Sequence, residues 1–137
     1  MTATRPLPVP DEASSPFWAN TARHVLSVAR CAHCGLLTLP PDVVCPSCGS
    51  TEPGFTFVPV SGGGTVRSYT VVRQSFLPGF EVPFTLVDVE LDEQPGLRMI
   101  GRLLDGSADS LAQGVPVRVA FEDVEPGIAI PAFELAR

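Results

Sequence analysis

The sequence predicts a mostly β chain: an N-terminal helix, a four-cysteine zinc ribbon, and then a five-stranded OB-fold barrel. Two observations carry this. All four cysteines fall in two Cys-x-x-Cys-Gly knuckles, Cys31-Ala-His-Cys34-Gly and Cys45-Pro-Ser-Cys48-Gly. Downstream of them, short apolar segments with two-residue alternation are separated by turn residues, and no long helical pattern interrupts them. The expected division is a flexible lead-in over 1–15, helix and ribbon over 16–60, and barrel over 61–137. A chain of 137 residues accommodates a small metal-stapled module beside a domain of roughly 80 residues.

The lead-in carries Pro6, Pro8 and Pro10, which favour extended backbone. Ser15 then reads as an N-cap with Pro16 at the first helical position, opening a short helix with Phe17, Trp18 and Ala22. Its aromatic pair is read either as a lid over a small core or as an anchor for a partner protein.

From His24 to Arg30 the pattern is strand-like and enters the first knuckle, and Leu36–Leu39 and Phe55–Val60 supply further short strands. Each knuckle turns two sulfurs toward one point, and a glycine after the second cysteine tolerates the positive φ such a turn requires. Four thiolates from Cys31, Cys34, Cys45 and Cys48 make the closed tetrahedron of structural Zn2+, with iron the alternative for the same donors. A closed site leaves no position for substrate, so the metal holds shape. His33 sits inside a knuckle whose tetrahedron the cysteines already fill, and is not expected to be a ligand. Redox and disulfide readings fit less well, because no βαβ pattern and no signal peptide accompany the cysteines.

Ser61-Gly62-Gly63-Gly64 marks the junction with the barrel. No Gly-Lys-Ser/Thr follows it and the next segment is a strand, so a turn is expected rather than a phosphate loop. The strand candidates are 65–73, 83–91, 97–104, 115–122 and 128–134. Thr85, Val87, Val89 and Leu91 share one face, and Val115, Val117, Val119 and Phe121 repeat the pattern, so Val87, Val89, Val117, Val119 and Phe121 are expected in the core. Residues 92–96, Asp105-Gly106 and Gln113-Gly114 read as turns. Between the first two strands, Gln74–Phe80 places Phe76, Leu77 and Phe80 in a loop, either folded under it or forming an apolar rim.

The formal charge of −6 falls to about −8 with four thiolates and one divalent ion, which disfavours long nucleic acid as a partner. All nine basic residues are arginine, so Schiff-base chemistry and a phosphate-loop lysine are excluded. The two histidines and the single Tyr69 lie in strands or a knuckle, and the expected polar-face carboxylates Asp88 and Glu90 read as solvated charge. No nucleophile with an adjacent base can be assembled, and the chain reads as a binding subunit rather than a complete enzyme. No apolar run of membrane-spanning length and no hydrophobic leader are present, so a soluble cytoplasmic protein is expected.

Taken in order, Phe17-Trp18, the four cysteines, Ser61–Gly64, Pro83-Phe84 and Gly114-Val115-Pro116-Val117 resemble the acyl-CoA-associated family that joins a rubredoxin-like zinc ribbon to an OB-fold barrel. The resemblance covers about residues 15–135. It implies a non-catalytic companion of thiolase-superfamily enzymes that make or cleave carbon–carbon bonds on acyl-CoA thioesters, as in steroid side-chain retro-aldol cleavage or C-acyl transfer. It further implies a hetero-oligomer; because stable interfaces need aromatic and apolar anchors, Phe17, Trp18, Phe76, Leu77 and Phe80 are the expected partner contacts. Arg67, Arg73, Arg98, Arg102 and Arg118 are then the candidates for acyl-CoA phosphates shared with the partner, against the plainer reading of surface ion pairs. A nucleic-acid-binding ribbon/OB module and an independent acyl-CoA enzyme are the rival readings. Whether the chain is free-standing or one domain of a longer protein is left open.

Overall fold

The structure, a computed structural model, describes residues 5–136. Helix α1 spans Ser15–Thr21. Its N-cap is Ser14, one residue earlier than the sequence suggests, because Asp11 and Ser14 exchange reciprocal side-chain-to-backbone hydrogen bonds (2.7 and 3.0 Å) that turn the chain before the helix. Hydrogen bonding from the Ser14 hydroxyl, and next from the Ser14 backbone N–H, holds the Asp11 carboxyl below its ordinary pKa.

After α1, His24 adopts φ 59°, so the expected strand cannot begin there. Strand β1 is Ser27–Arg30, flanked by β2 (Leu37–Thr38) and β3 (Thr56–Pro59) in the antiparallel order β2-β1-β3. The second sheet contains β4 (Gly63–Val72), β5 (Phe84–Leu91), β6 (Arg98–Arg102), β7 (Pro116–Glu125) and β8 (Ile128–Leu135). Its order is β6-β5-β4-β7-β8. A parallel bridge between Leu103 and Phe133 brings its two ends together, closing a five-stranded barrel on the OB plan.

Strict alternation on β5 buries Thr85, Val87, Val89 and Leu91, as the sequence pattern requires. On β7 the expectation holds only for Val117. Val119 and Phe121 are half-buried, because β7 runs past the barrel core toward the α1 exit, where the Phe121 ring stacks on His24 (5.0 Å between centroids, 11° between planes). The largest fully buried side chain is instead Phe133 on β8, seated against Gly101 of β6.

One apolar cluster runs through both sheets, from Phe17, Leu26 and Val28 to Val66, Val87, Val89 and Phe133. Gly62–Gly64 lies where they meet, and the reason for the glycines is steric. A Cβ at Gly62 would come 2.2 Å from Val119 Cγ1, at Gly63 2.7 Å from Asp92 Oδ2, and at Gly64 2.5 Å from the Glu90 carbonyl oxygen. The glycine run lets β4 pass between β5 and β7. No helix among the described residues is long and apolar enough to cross a membrane.

Candidate functional site

The two knuckles are built alike. Cys31 N–H donates to Leu36 O (2.9 Å) and Gly35 N–H to Cys31 O (3.0 Å); Cys45 N–H donates to Ser50 O (3.0 Å) and Gly49 N–H to Cys45 O (2.9 Å). Gly35 and Gly49 take φ 77° and 73°, the left-handed conformation these turns demand. Cys31 and Cys45 are buried while Cys34 and Cys48 face outward, and the four sulfurs all lie within 4.8 Å of one another. Cys34–Cys45 at 3.6 Å and Cys31–Cys48 at 3.9 Å are too far apart for disulfides. They match a tetrahedral tetrathiolate ion, in which metal–sulfur bonds of about 2.3 Å set the sulfurs roughly 3.8 Å apart.

The electrostatics favour a cation. The backbone N–H of Cys48, assisted by that of Ser47, pulls the Cys45 thiol down to about 6, and the N–H groups of Cys34 and His33 lower Cys31 likewise. At Cys48 the N–H of Ser50 acts in the same direction, but desolvation by the atoms packed around its sulfur and the other three sulfurs outweigh it and push the thiol up to about 11. Four thiolates so close together need a positive centre. His33 is not among the donors: its Nε2–H donates to the Glu52 carbonyl at 2.8 Å, bracing one knuckle against the chain leaving the other.

A residue missed at the sequence level fixes this module to the barrel. The Gln94 side-chain amide, in the β5–β6 turn, accepts from Leu37 N–H (2.9 Å) and donates to Leu37 C=O (2.8 Å), pairing with β2 as a neighbouring strand residue would. Beside it, Glu93 accepts from Ser61 N–H (2.8 Å). On the far side His24 Nε2 meets both carboxylate oxygens of Asp123 (2.9 and 3.0 Å).

Four of the five candidate arginines are engaged by carboxylates: Arg67 by Glu90 (3.7 Å), Arg98 by Asp88, Arg102 by Glu122 (3.4 Å) and Arg118 by Glu134 (2.6 Å). Arg73 and Arg102 line one cleft of about 400 Å³ at the barrel mouth, and Arg98 lines a different groove, so the five do not converge as a set.

The candidate partner contacts also divide. Phe17 is buried, edge-on to Trp18 (5.0 Å) and tilted against Phe57 (6.3 Å), and is a core residue rather than a contact. Trp18 is half-buried and lines a largely apolar groove of about 590 Å³ with Pro40, Pro41, Met99 and Ile100. Phe76 (80% exposed) and Leu77 (52%) form the tip of the β4–β5 loop, and Phe80 lies half-buried at its base, stacked on Phe84 (5.8 Å). Ile100, 66% exposed, was missed, although an isoleucine between Arg98 and Arg102 on the outward face of a strand is a legible signal.

Residues 18–54 match the family model described as ChsH2, rubredoxin-like zinc ribbon domain, and residues 57–122 that described as ChsH2, C-terminal OB-fold domain. A DUF35 domain-containing scaffold protein of Methanocaldococcus jannaschii is 32% identical over 113 residues, 77% of each chain. The chain belongs to the DUF35 family. A further relative of this DUF35 chain, named probable enoyl-CoA hydratase alpha subunit, from Thermomonospora curvata, is 34% identical over 135 residues; the match takes in 98% of the present chain but only 41% of the relative. Among solved structures, a chain of the Ltp2-ChsH2(DUF35) aldolase superposes with TM-score 0.82 at 31% identity, covering 95% of this chain and 99% of the other.

Proposed function

We propose that this DUF35 chain is a non-catalytic accessory subunit that docks on a thiolase-superfamily enzyme and supports its carbon–carbon bond chemistry on an acyl-CoA thioester, with retro-aldol cleavage the favoured reaction. The observation that carries the reading is the near end-to-end structural match to a DUF35 chain of an aldolase complex. The chemistry of the site agrees. A four-thiolate Zn2+ site at Cys31, Cys34, Cys45 and Cys48 holds the ribbon's shape and offers no open coordination position. The arginines that could serve a polyanion mostly neutralise carboxylates on neighbouring strands, while the conspicuous exposed features are apolar: the Phe76–Leu77 tip, and the groove flanked by Trp18 and Ile100. Aromatic and aliphatic anchors of this kind seat protein interfaces, with about 1,200–2,000 Å² buried in a stable complex.

The test is recovery and reconstitution. An affinity-tagged chain is expressed at native level in its source cell, the protein it retains is identified, and the two are then produced together and apart. A stable complex on gel filtration with turnover above that of the partner alone is expected, and Phe76→Ala is expected to weaken the complex without changing metal content. A partner that is equally soluble and active by itself, with no complex, refutes the reading.

A further inference from the structure

Among the described residues, no backbone hydrogen bond ties residues 73–83 to the rest of the chain beyond the β4–β5 ladder, which ends at the Val72–Phe84 pair. Inside the loop, Ser75 Oγ donates to Leu77 O (2.8 Å), which shapes the tip but fastens it to nothing. The fastening comes from Phe80. Its ring stacks on Phe84 (5.8 Å, 27°), and the Arg5 guanidinium lies over it at 5.5 Å. Arg5 also reaches Glu122 Oε1 (3.5 Å), which is shared with Arg102 (3.4 Å), and Arg102 in turn lies over Phe84 (5.9 Å). Five side chains thus close a ring: Arg5, Phe80, Phe84, Arg102, Glu122 and back to Arg5. The Arg5 and Glu122 side chains are only 18% and 20% exposed, so the pair is shielded from solvent far more than an ordinary surface bridge. The lead-in that sequence reading treats as a flexible preamble supplies the outer half of a clamp on the loop.

We infer that Arg5 is a positioning residue: from the lead-in it locks the base of the β4–β5 loop against the barrel mouth, so that the Phe76–Leu77 tip is presented in one conformation for protein docking. The docking role of the tip rests on the function proposed above; the clamp does not. Fixing the loop before encounter lowers the ordering cost of association, so the lead-in contributes to affinity without touching the partner.

Limited proteolysis of the free, metal-loaded chain with chymotrypsin tests the clamp. Phe76, already exposed, is an internal reference, whereas cleavage after Phe80 requires its ring to leave the stack. Arg5→Ala is expected to accelerate cleavage after Phe80 about tenfold, the size that loss of one partly desolvated cation–π contact together with an ion pair gives, with cleavage after Phe76 and the melting temperature nearly unchanged. Arg5→Lys, which keeps the charge but not the planar stacking, is expected to give a rise of roughly threefold. Equal cleavage after Phe80 in wild type and Arg5→Ala overturns the clamp. Against the protein retained by the wild-type chain, Arg5→Ala is expected to weaken binding, as Phe76→Ala does. If Phe76→Ala weakens binding and Arg5→Ala does not, the positioning role is overturned. If neither variant changes binding, the docking reading fails, and proteolysis alone decides the clamp.

Discussion

Gln94→Ala removes a side chain that pairs with the ribbon's outer strand as backbone would. Two hydrogen bonds of 2.8 and 2.9 Å disappear together, and both are partly buried. At about 1 kcal/mol net each, the loss is about 2 kcal/mol; water can reach half-buried Leu37 and re-solvate its N–H and C=O, so the full penalty of orphaned buried groups does not apply. Against a total stability of roughly 5–15 kcal/mol for a domain, the change is large. Urea unfolding followed by the fluorescence of Trp18, the only tryptophan and part of the same core, is the assay. With a urea slope of about 2 kcal/mol/M, the midpoint is expected to fall by about 1 M. Gln94→Glu retains the acceptor for Leu37 N–H but sets a carboxylate against Leu37 C=O, and is expected to destabilise more than alanine at neutral pH. Midpoints within about 0.2 M of wild type for both variants would refute the idea that this amide joins ribbon to barrel.

Purified chain is expected to carry about one metal ion, and Cys31→Ser, which replaces a buried donor of the tetrathiolate site, is expected to lose it and to lower solubility; full metal content in that variant, measured by elemental analysis, would remove Cys31 from the donor set. Gly64→Ala places a Cβ 2.5 Å from the Glu90 carbonyl oxygen and 2.6 Å from Val89 Cγ1. Since the first obstacle is backbone, β4 and β5 must part, and a cost of about 1–3 kcal/mol is expected in thermal or urea unfolding, with an unchanged melting curve as the contrary result.

How much could be read from the chain in advance differs from residue to residue, and locality explains the difference. The cysteine knuckles carry their own geometry within five residues, since two sulfurs, a turn and a glycine at positive φ follow from the local string. The β5 alternation likewise needed no tertiary knowledge, because a two-residue period with one wet face implies which side chains are buried. Phe121 shows where that logic stops: alternation assigns a face but cannot say how far the opposing layer extends, and β7 outruns the core until Phe121 meets His24. Phe17 and Trp18 make the same point at adjacent positions, one in the core and the other beside a groove.

By itself, then, the sequence determined the ribbon-plus-barrel class, the four cysteines brought together in metal-binding geometry, and the absence of lysine chemistry, all of them consequences of residue type and short-range spacing. Only the tertiary structure decided that Gly62–Gly64 is a steric passage, that Gln94 substitutes for a strand, that four of five candidate arginines are held by carboxylates, and that Arg5 reaches Phe80 and Glu122. The physical reason is shared. Each of these depends on contact between different segments, from 10 residues apart for Asp88 and Arg98 to more than a hundred for Arg5 and Glu122, where clashes, hydrogen bonds and charge pairing follow from strand register and barrel closure rather than from residue type alone.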